Sequence, residues 1–352
     1  MKTVYRNFLF LCMLLCFGSC SDNSLSEETF EEPQTRILAS KNDIADFIGK
    51  KNFKLVFRNE STGNLVYLDY TTDENKLIEI STGIDGYHPD ISPDGRWVAF
   101  STTYEGTSGE SKVYVLDLKN DSSEVVALDS TKAAIPRWNV FDKGDTELVF
   151  VSNTGLSQVK YWKSYSTSKV SFKNGKFGKK EVIFDKGAFH GGISKDGRFA
   201  VTSAARLIAR RTSLSGEYKD EIWYKDDQTC NASLFMDGTN RTLFLDMAGT
   251  RGVKFVGKKY RPHQNILVVD STGKLISAVP SPKEEINGSL VETAFDHTEW
   301  ITGEIAIAVI ANVSDLRHRK IALVNLKDST MLDLVESDFE LWHPDLWVGE
   351  NR

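Results

Sequence analysis

The stretch "GYHPDISPDGRWVAFS", residues 86–101, decides the fold, because the chain writes it twice. A near-copy, "FHGGISKDGRFAVTS", occupies 189–203. Each copy joins a His-led opening to an Asp-Gly turn and then to an apolar run. Asp-Gly is a hairpin signal, since glycine takes positive φ at little cost. In the run that follows, Val98 and Phe100, or Ala200 and Thr202, alternate with their neighbours between two faces of a sheet. Trp97 and Phe199 are placed to pack against the next sheet.

Weaker echoes extend the pattern. "AIPRWN" at 134–139 leads into "TELVFVS". "TCNASLFMDGTNRTLFLD" covers 229–246, "FDHTEWITGEIAIAVIA" covers 295–311, and "LWHPDLWV" covers 341–348. Aligned, these phrases share the anchors His88, Ile135, His190, Asn231, His297 and His343, which return every 41 to 66 residues. Propeller blades take roughly 40–50 residues, so the longer intervals carry loop insertions. Each unit also has a later strand ending in Asp or Asn: "LVYLDY" at 65–70, "KVYVLDL" at 112–118, "NILVVDSTGKLI" at 265–276 and "IALVNLKDSTMLDL" at 321–334. No window beyond the first twenty residues has convincing helical periodicity, which argues against α/β and coiled-coil folds.

The last phrase has no strands after it, and the first unit, from about residue 53, has strands but no opening phrase. Joined, they complete one blade and remove the open sheet edges. The expected fold is therefore all-β: a six-bladed β-propeller closed by pairing of its N- and C-terminal strands. Blade 1 is the C-terminal strand plus 53–83, and the others run 86–130, 133–184, 188–228, 229–290 and 293–338. The phrase H-x-x-I-S-x-D-G-R-[WF] resembles the repeat of TolB-like β-propellers, over about 53–348. That resemblance implies the propeller fold and says little about function, since such propellers serve in translocation complexes, peptidases and lyases.

Residues 1–20 read as a lipoprotein signal peptide. Lys2 and Arg6 precede the apolar run Phe8–Phe17, which is too short to span a membrane as a mature helix. Its ending "FGSC" resembles a lipobox, which makes Cys20 the residue to be acylated, with Phe17 where leucine is more usual. An ordinary cleaved signal is the simpler alternative. Residues 21–50 begin "SDNSLSEETFEEPQTR" and read as an acidic flexible tether, leaving 51–352 for the propeller. Ser21 and the acids after it resemble an outer-membrane sorting signal, with the domain facing the periplasm or the cell surface. The formal net charge of −6 argues against nucleic acid as a partner. Only Cys230 lies in the folded part, so no intramolecular disulfide is possible there. The expected partners are the membrane, through the anchor, and an envelope protein or polysaccharide; the propeller itself is expected to be a monomer.

The anchors precede the innermost strands, so they should ring one mouth of the channel. His88, His190, His297 and His343 are anchors, and Asp90, Arg137, Glu299 and Asp345 stand two places after theirs. These eight residues form the candidate ligand-binding mouth. In one reading the histidines only bond backbone of the next blade. In the other, His88, His297 and His343, on consecutive blades, hold a divalent metal, a common use of imidazole; otherwise no cofactor is expected.

Most enzyme signatures are absent. There is no G-x-S-x-G, P-loop or G-x-G-x-x-G, and no H-E-x-x-H. The function expected first is non-catalytic binding of a protein or glycan. The alternative is a metal-dependent lyase or hydrolase of an acidic polysaccharide, similar to oligogalacturonate lyases, a resemblance that rests on the repeat and the histidine ring and implies a basic residue such as Arg137 or Arg206. A structural role in an envelope complex is the third possibility. Two insertions add basic residues: "MAGTRGVKFVGKKYRPHQN" at 247–265, with Arg251, Lys254, Lys258, Lys259 and Arg261, and the hairpin 206–225, with Arg206, Arg210 and Arg211. They read either as a patch for an acidic partner or as solvated loops. Trp138, Trp300, Trp342 and Trp347 lie near the anchors, as sugar-stacking or blade-packing residues.

Overall fold

The computed structural model describes residues 34–349, apart from 73, 103–109, 120–123, 143, 145, 156–158, 204–205, 225–227 and 287. Cys20 and the expected signal peptide, 1–20, lie outside these residues. The strands form six small antiparallel sheets, one per blade. Blade 1 pairs Leu341–Gly349 with Asn52–Asn59, followed by Leu65–Asp69 and Leu77–Ile80. The expected closure is thus present, in the register Leu55↔Leu346 and Val56↔Asp345. Blade 2 runs Tyr87–Ile91, Trp97–Ser101, Val113–Asp117 and Val125–Ala127. Blade 3 fills 133–184 and blade 5 fills 229–280.

Blade 4 has only three strands, Phe199–Thr202, Leu207–Thr212 and Tyr218–Tyr224. Its opening segment keeps a single bridge, Ile193↔Ala200. Blade 6 is enlarged. Lys283–Ile286, expected in blade 5, instead pairs with the start of Ser289–Thr302, Ile286 opposite Ser289.

The core is a ring of six interfaces rather than one centre. Within Ile305–Asn312, Ile305, Ile307 and Val309 pack with Phe53, Leu55 and Phe57 of blade 1. The intervening Ala306, Ala308 and Ile310 pack with Leu243 and Leu245 of blade 5. The same division holds at every other interface: 4 with 5, 2 with 3, 3 with 4, and 1 with 2. Both faces of a blade are buried, which is why strands such as "IAIAVIA" read as continuous apolar runs. Val98 and Phe100 face blade 1, while Ala99 faces blade 3. Trp97 meets Phe172 of blade 3 edge-on at 5.1 Å.

The tether expected over 21–50 is corrected from residue 34 onward. Thr35–Ile37 adds a strand beside Met331–Ser337, with Ile37 opposite Val335. A helix, α1 (Lys41–Ile48), follows; the Ser40 side chain accepts from Asp43 N–H, and the Asp43 side chain accepts from Ser40 N–H. Such a capping box stabilises a helix by about 1 kcal/mol. Ile44 is fully buried against the blade 6–blade 1 core. The segment thereby covers the outer edge of blade 6, an edge that otherwise presents unpaired backbone. Eight residues are too few for helical periodicity to register in the sequence.

Candidate functional site

The repeated phrase divides into a scaffold half and a site half. The scaffold half is the turn. In blade 2, Ser92 Oγ donates to Asp94 Oδ1 at 2.5 Å and accepts from Trp97 N–H at 2.9 Å, while Asp94 Oδ1 accepts from Arg96 N–H at 3.1 Å. In blade 4, Ser194, Asp196, Phe199 and Arg198 repeat these bonds at 2.6, 3.0 and 3.0 Å. Gly95 and Gly197 take φ of 68° and 69°, as the turn requires. The strand-ending Asp and Asn residues make a second set of turns. Asp69, Asp117, Asp270 and Asn325 each accept, through Oδ1, the N–H two residues on, at 2.8, 3.0, 2.8 and 3.0 Å.

The site half is the anchor. His88, Ile135, Asn231, His297 and His343 all adopt left-handed backbone, with φ of 51°, 48°, 48°, 47° and 49°. Each sits where its innermost strand shifts register. A left-handed residue at a β-bulge re-aims its side chain out of the blade. At a β-branched residue such as Ile135 it costs on the order of 1–3 kcal/mol. In blade 4 the departure moves to Gly192, at φ 119°. A Cβ on Gly191 would lie 2.9 Å from Ala232 O, and one on Gly192 would lie 2.8 Å from Leu234 Cβ, so both places require glycine.

Together the six opening segments line one central cavity of about 350 Å³. All eight residues of the expected mouth, His88, Asp90, Arg137, His190, His297, Glu299, His343 and Asp345, face it, joined by Trp138, Trp162, Trp300 and Trp342. Their roles differ. Asp345 Oδ2 accepts from Ile91 N–H at 2.7 Å, and Asp90 Oδ2 accepts from Trp138 N–H. Ser233 Oγ accepts from Trp300 N–H at 2.9 Å. In each case the residue two after an anchor holds the backbone three after the next blade's anchor. These are staples between neighbouring blades.

Arg137 and Glu299 break that rule. They belong to blades 3 and 6, three blades apart in a ring of six, and meet across the channel at 2.5 Å. Burial opposes the Arg137 charge, but Glu299, Asp90 and Asp345 outweigh it and hold the guanidinium protonated. This makes Arg137 a poor proton-abstracting base. Burial, then Asp345, pushes Asp90 well above the ordinary carboxylate range. Burial, partly offset by the Ile91 N–H, pushes Asp345 up to about 6. Burial lowers His190 and His297 to about 4, and His343 well below its usual value. These imidazoles are neutral at pH 7.

Four of the histidines form a run along one wall. Ring centroids are 3.8 Å apart for His88–His343, 4.0 Å for His343–His297 and 5.5 Å for His297–His318. The trio His88, His297 and His343 is thus adjacent, as the blade order predicts, but it packs ring on ring. Among the described residues, the set whose ligand atoms converge is Asp296, His297 and His318. Sequence reasoning missed Asp296, which stands just before the anchor His297 where the other phrases carry no acid, and His318, which stands outside the anchor phrases. The scarcity of histidine, six in the chain, was the one signal that pointed to His318.

The basic insertions are corrected in part. Residues 250–256 form a helix, α2 (Thr250–Val256), not a loop. Buried Asp246 holds it in place, accepting from Tyr224 Oη at 2.6 Å, Tyr260 Oη at 2.9 Å and Gly249 N–H at 3.1 Å. Arg251 is spent on the carbonyls of Trp223 and Gly273. Arg210 is buried, paired with Asp220 at 2.7 Å and laid over Tyr218 at 3.7 Å. Lys254, Lys258, Lys259 and Arg261 are exposed.

Fold and site define a six-bladed β-propeller with a charge-paired central cavity. No family model and no curated protein matches the chain. Among solved structures, a Mycobacterium tuberculosis puromycin-hydrolysing peptidase is 14% identical, with a TM-score of 0.48 over 86% of this chain and 45% of that one. A candidate 6-phosphogluconolactonase from Bacteroides fragilis is 12% identical, with a TM-score of 0.43 over 80% of each chain. A prolyl endopeptidase structure is 13% identical, with a TM-score of 0.39 over 78% of this chain and 46% of that one. This chain therefore spans less than half the length of either peptidase. Similarity at this level carries no argument about activity, and the architecture rests on the sheet topology above.

Proposed function

We propose that this chain is a lipid-anchored envelope propeller of the TolB-like kind that binds a neutral glycan unit in its central cavity without transforming it. The observation that carries this reading is the internal pairing of the cavity's charges. Arg137 is neutralised by Glu299, the buried Asp90 and Asp345 serve as staples, and the imidazoles of His190, His297 and His343 are neutral. An acidic sugar would find no uncompensated cation there. A neutral one finds several hydrogen-bonding groups and the indoles of Trp138, Trp162, Trp300 and Trp342. A volume of about 350 Å³ suits one or two sugar rings, at the small end of ligand pockets. The arrangement also disfavours a lyase, whose base Arg137 would have to supply while ion-paired. The resemblance of "FGSC" to a lipobox, with Cys20 as the acylated residue, supports the anchor, and the acidic residues after it support the outer membrane.

The test is calorimetric titration of the detergent-purified protein with neutral sugars (glucose, galactose, N-acetylglucosamine and their short oligomers) and with oligogalacturonates. Neutral sugars should bind and the acidic ones should not. Glu299→Gln, which leaves Arg137 uncompensated, should shift the preference toward oligogalacturonate by at least tenfold. Binding of acidic sugars alone, heat from no sugar, or appearance of an unsaturated cleavage product would each refute the reading. Metabolic labelling with an alkynyl fatty acid should mark wild type and not Cys20→Ser; equal labelling removes the anchor.

A further inference from the structure

Beside the channel, on the side away from His88, a second cluster lies between blades 5, 6 and 1. Asp296 and His297 occupy the bulge of Ser289–Thr302, and His318 opens the strand His318–Asn325. Asp296 Oδ1 is fixed by Asn231 Nδ2 at 2.7 Å and by the His297 N–H at 2.8 Å. Asp296 Oδ2 lies 3.2 Å from His318 Nε2. The ligand-capable atoms of Asp296, His297 and His318 all fall within 4.8 Å of one another. The Trp342 ring covers both imidazoles, at 4.9 and 5.0 Å. His263, carried by the blade 5 insertion, is docked to the same strand through its carbonyl, which accepts from Phe295 N–H at 2.9 Å.

Three buried imidazole nitrogens here, His297 Nε2, His318 Nδ1 and His263 Nε2, have no hydrogen-bond partner among the described residues. Orphaned polar atoms in a dry site cost about 1–3 kcal/mol each, and native structures rarely leave several together. His297 and His318 also converge on one carboxylate, which the Asn231 amide holds in place, the outer support that metal ligands commonly have. We infer that Asp296, His297 and His318 form a binding site for a divalent transition metal of the zinc class. The nitrogen-rich donor set selects against calcium and magnesium, which take oxygen ligands. Zinc bonds nitrogen at about 2.0–2.1 Å and carboxylate oxygen at about 2.0–2.2 Å, so binding draws the three groups closer together. His297 also faces the channel, so the metal site and the cavity share one residue.

The full-length protein, stripped by chelator and dialysed, should take up one equivalent of Zn²⁺ in a calorimetric titration and give a tetrahedral visible spectrum with Co²⁺. Neither Ca²⁺ nor Mg²⁺ should bind. His318→Gln, which keeps volume and fold, should weaken Zn²⁺ at least a hundredfold, while His190→Gln, across the channel, should leave it unchanged. The absence of stoichiometric Zn²⁺ in wild type would overturn the inference and leave the cluster as an Asp–His hydrogen-bond network. Loss of zinc in His88→Gln with retention in His318→Gln would overturn it too, moving the metal to the stacked trio. Sugar binding is read separately, so neither proposal stands in for the other.

Discussion

The two copies of the phrase, in blades 2 and 4, share every bond of the turn and almost nothing of the opening. In blade 2 the opening reads His-Pro-Asp. His88 takes the left-handed bulge, Asp90 staples blade 3, and the sheet keeps four strands. In blade 4 it reads His-Gly-Gly. The backbone departs at Gly192 rather than at His190, and only one bridge survives of the innermost strand. The joint to blade 5 is then made by close backbone approach, Leu234 N–H to Gly191 O at 2.7 Å, with Ser203 Oγ accepting from Ala232 N–H at 3.1 Å. The turn is thus the fixed component, and the opening is where the ring varies its walls. One side of the channel is held by carboxylates and the other by backbone and serine hydroxyls.

Three experiments test this contrast, in descending order of effect. Gly192→Val should cost about 3–5 kcal/mol in urea denaturation, because a β-branched residue must adopt φ 119° with its Cβ on Leu234. A loss under about 1 kcal/mol would show that blade 4 does not depend on close approach.

The second concerns pH. Asp345 titrates near 6 in the fold and near 3.8 in the unfolded chain, so between those values the native state holds a proton that the unfolded state has released. Stability from this group is therefore full below pH 4 and lost as pH rises through 6. Asp345→Asn can still accept from Ile91 N–H but binds no proton. Relative to wild type it should gain on the order of 2–3 kcal/mol between pH 4 and pH 7.5. Parallel stability profiles would mean that Asp345 is already ionised at pH 4.

The third is a matched pair. Ser92→Ala and Ser194→Ala should each cost about 1 kcal/mol, and equally, since the turns are the same. A difference above about 1 kcal/mol would end the claim that the scaffold half is shared.

Much of this was legible in the sequence. The Asp-Gly turns, the strand-ending Asp residues and the closure by Leu341–Gly349 all depend on local chemistry or on a repeat, and both leave marks in order and spacing. The gathering of eight anchor-linked residues around one channel was legible for the same reason. What each does there was not. Asp90 and Asp345 look like Arg137 and Glu299 in the alignment, yet two are staples and two are a cross-channel pair, because the choice depends on the residue opposite, three blades away. Asp296, His318 and the edge-covering segment 35–48 carry no repeat signal. Their roles come from contacts between blades and along an outer edge, which no local window contains.

The closure has a kinetic meaning. Ile91 is bonded to Asp345 across 254 positions of chain, so this bond between the first two blades cannot form until nearly the whole propeller has been synthesised. Pairings of such high sequence separation make folding slow. Until the closing strand arrives, Asn52–Asn59, whose residues Phe53, Leu55, Val56 and Phe57 are fully buried in the finished ring, presents an open apolar edge. A version truncated before residue 341 should aggregate rather than persist as a five-bladed protein.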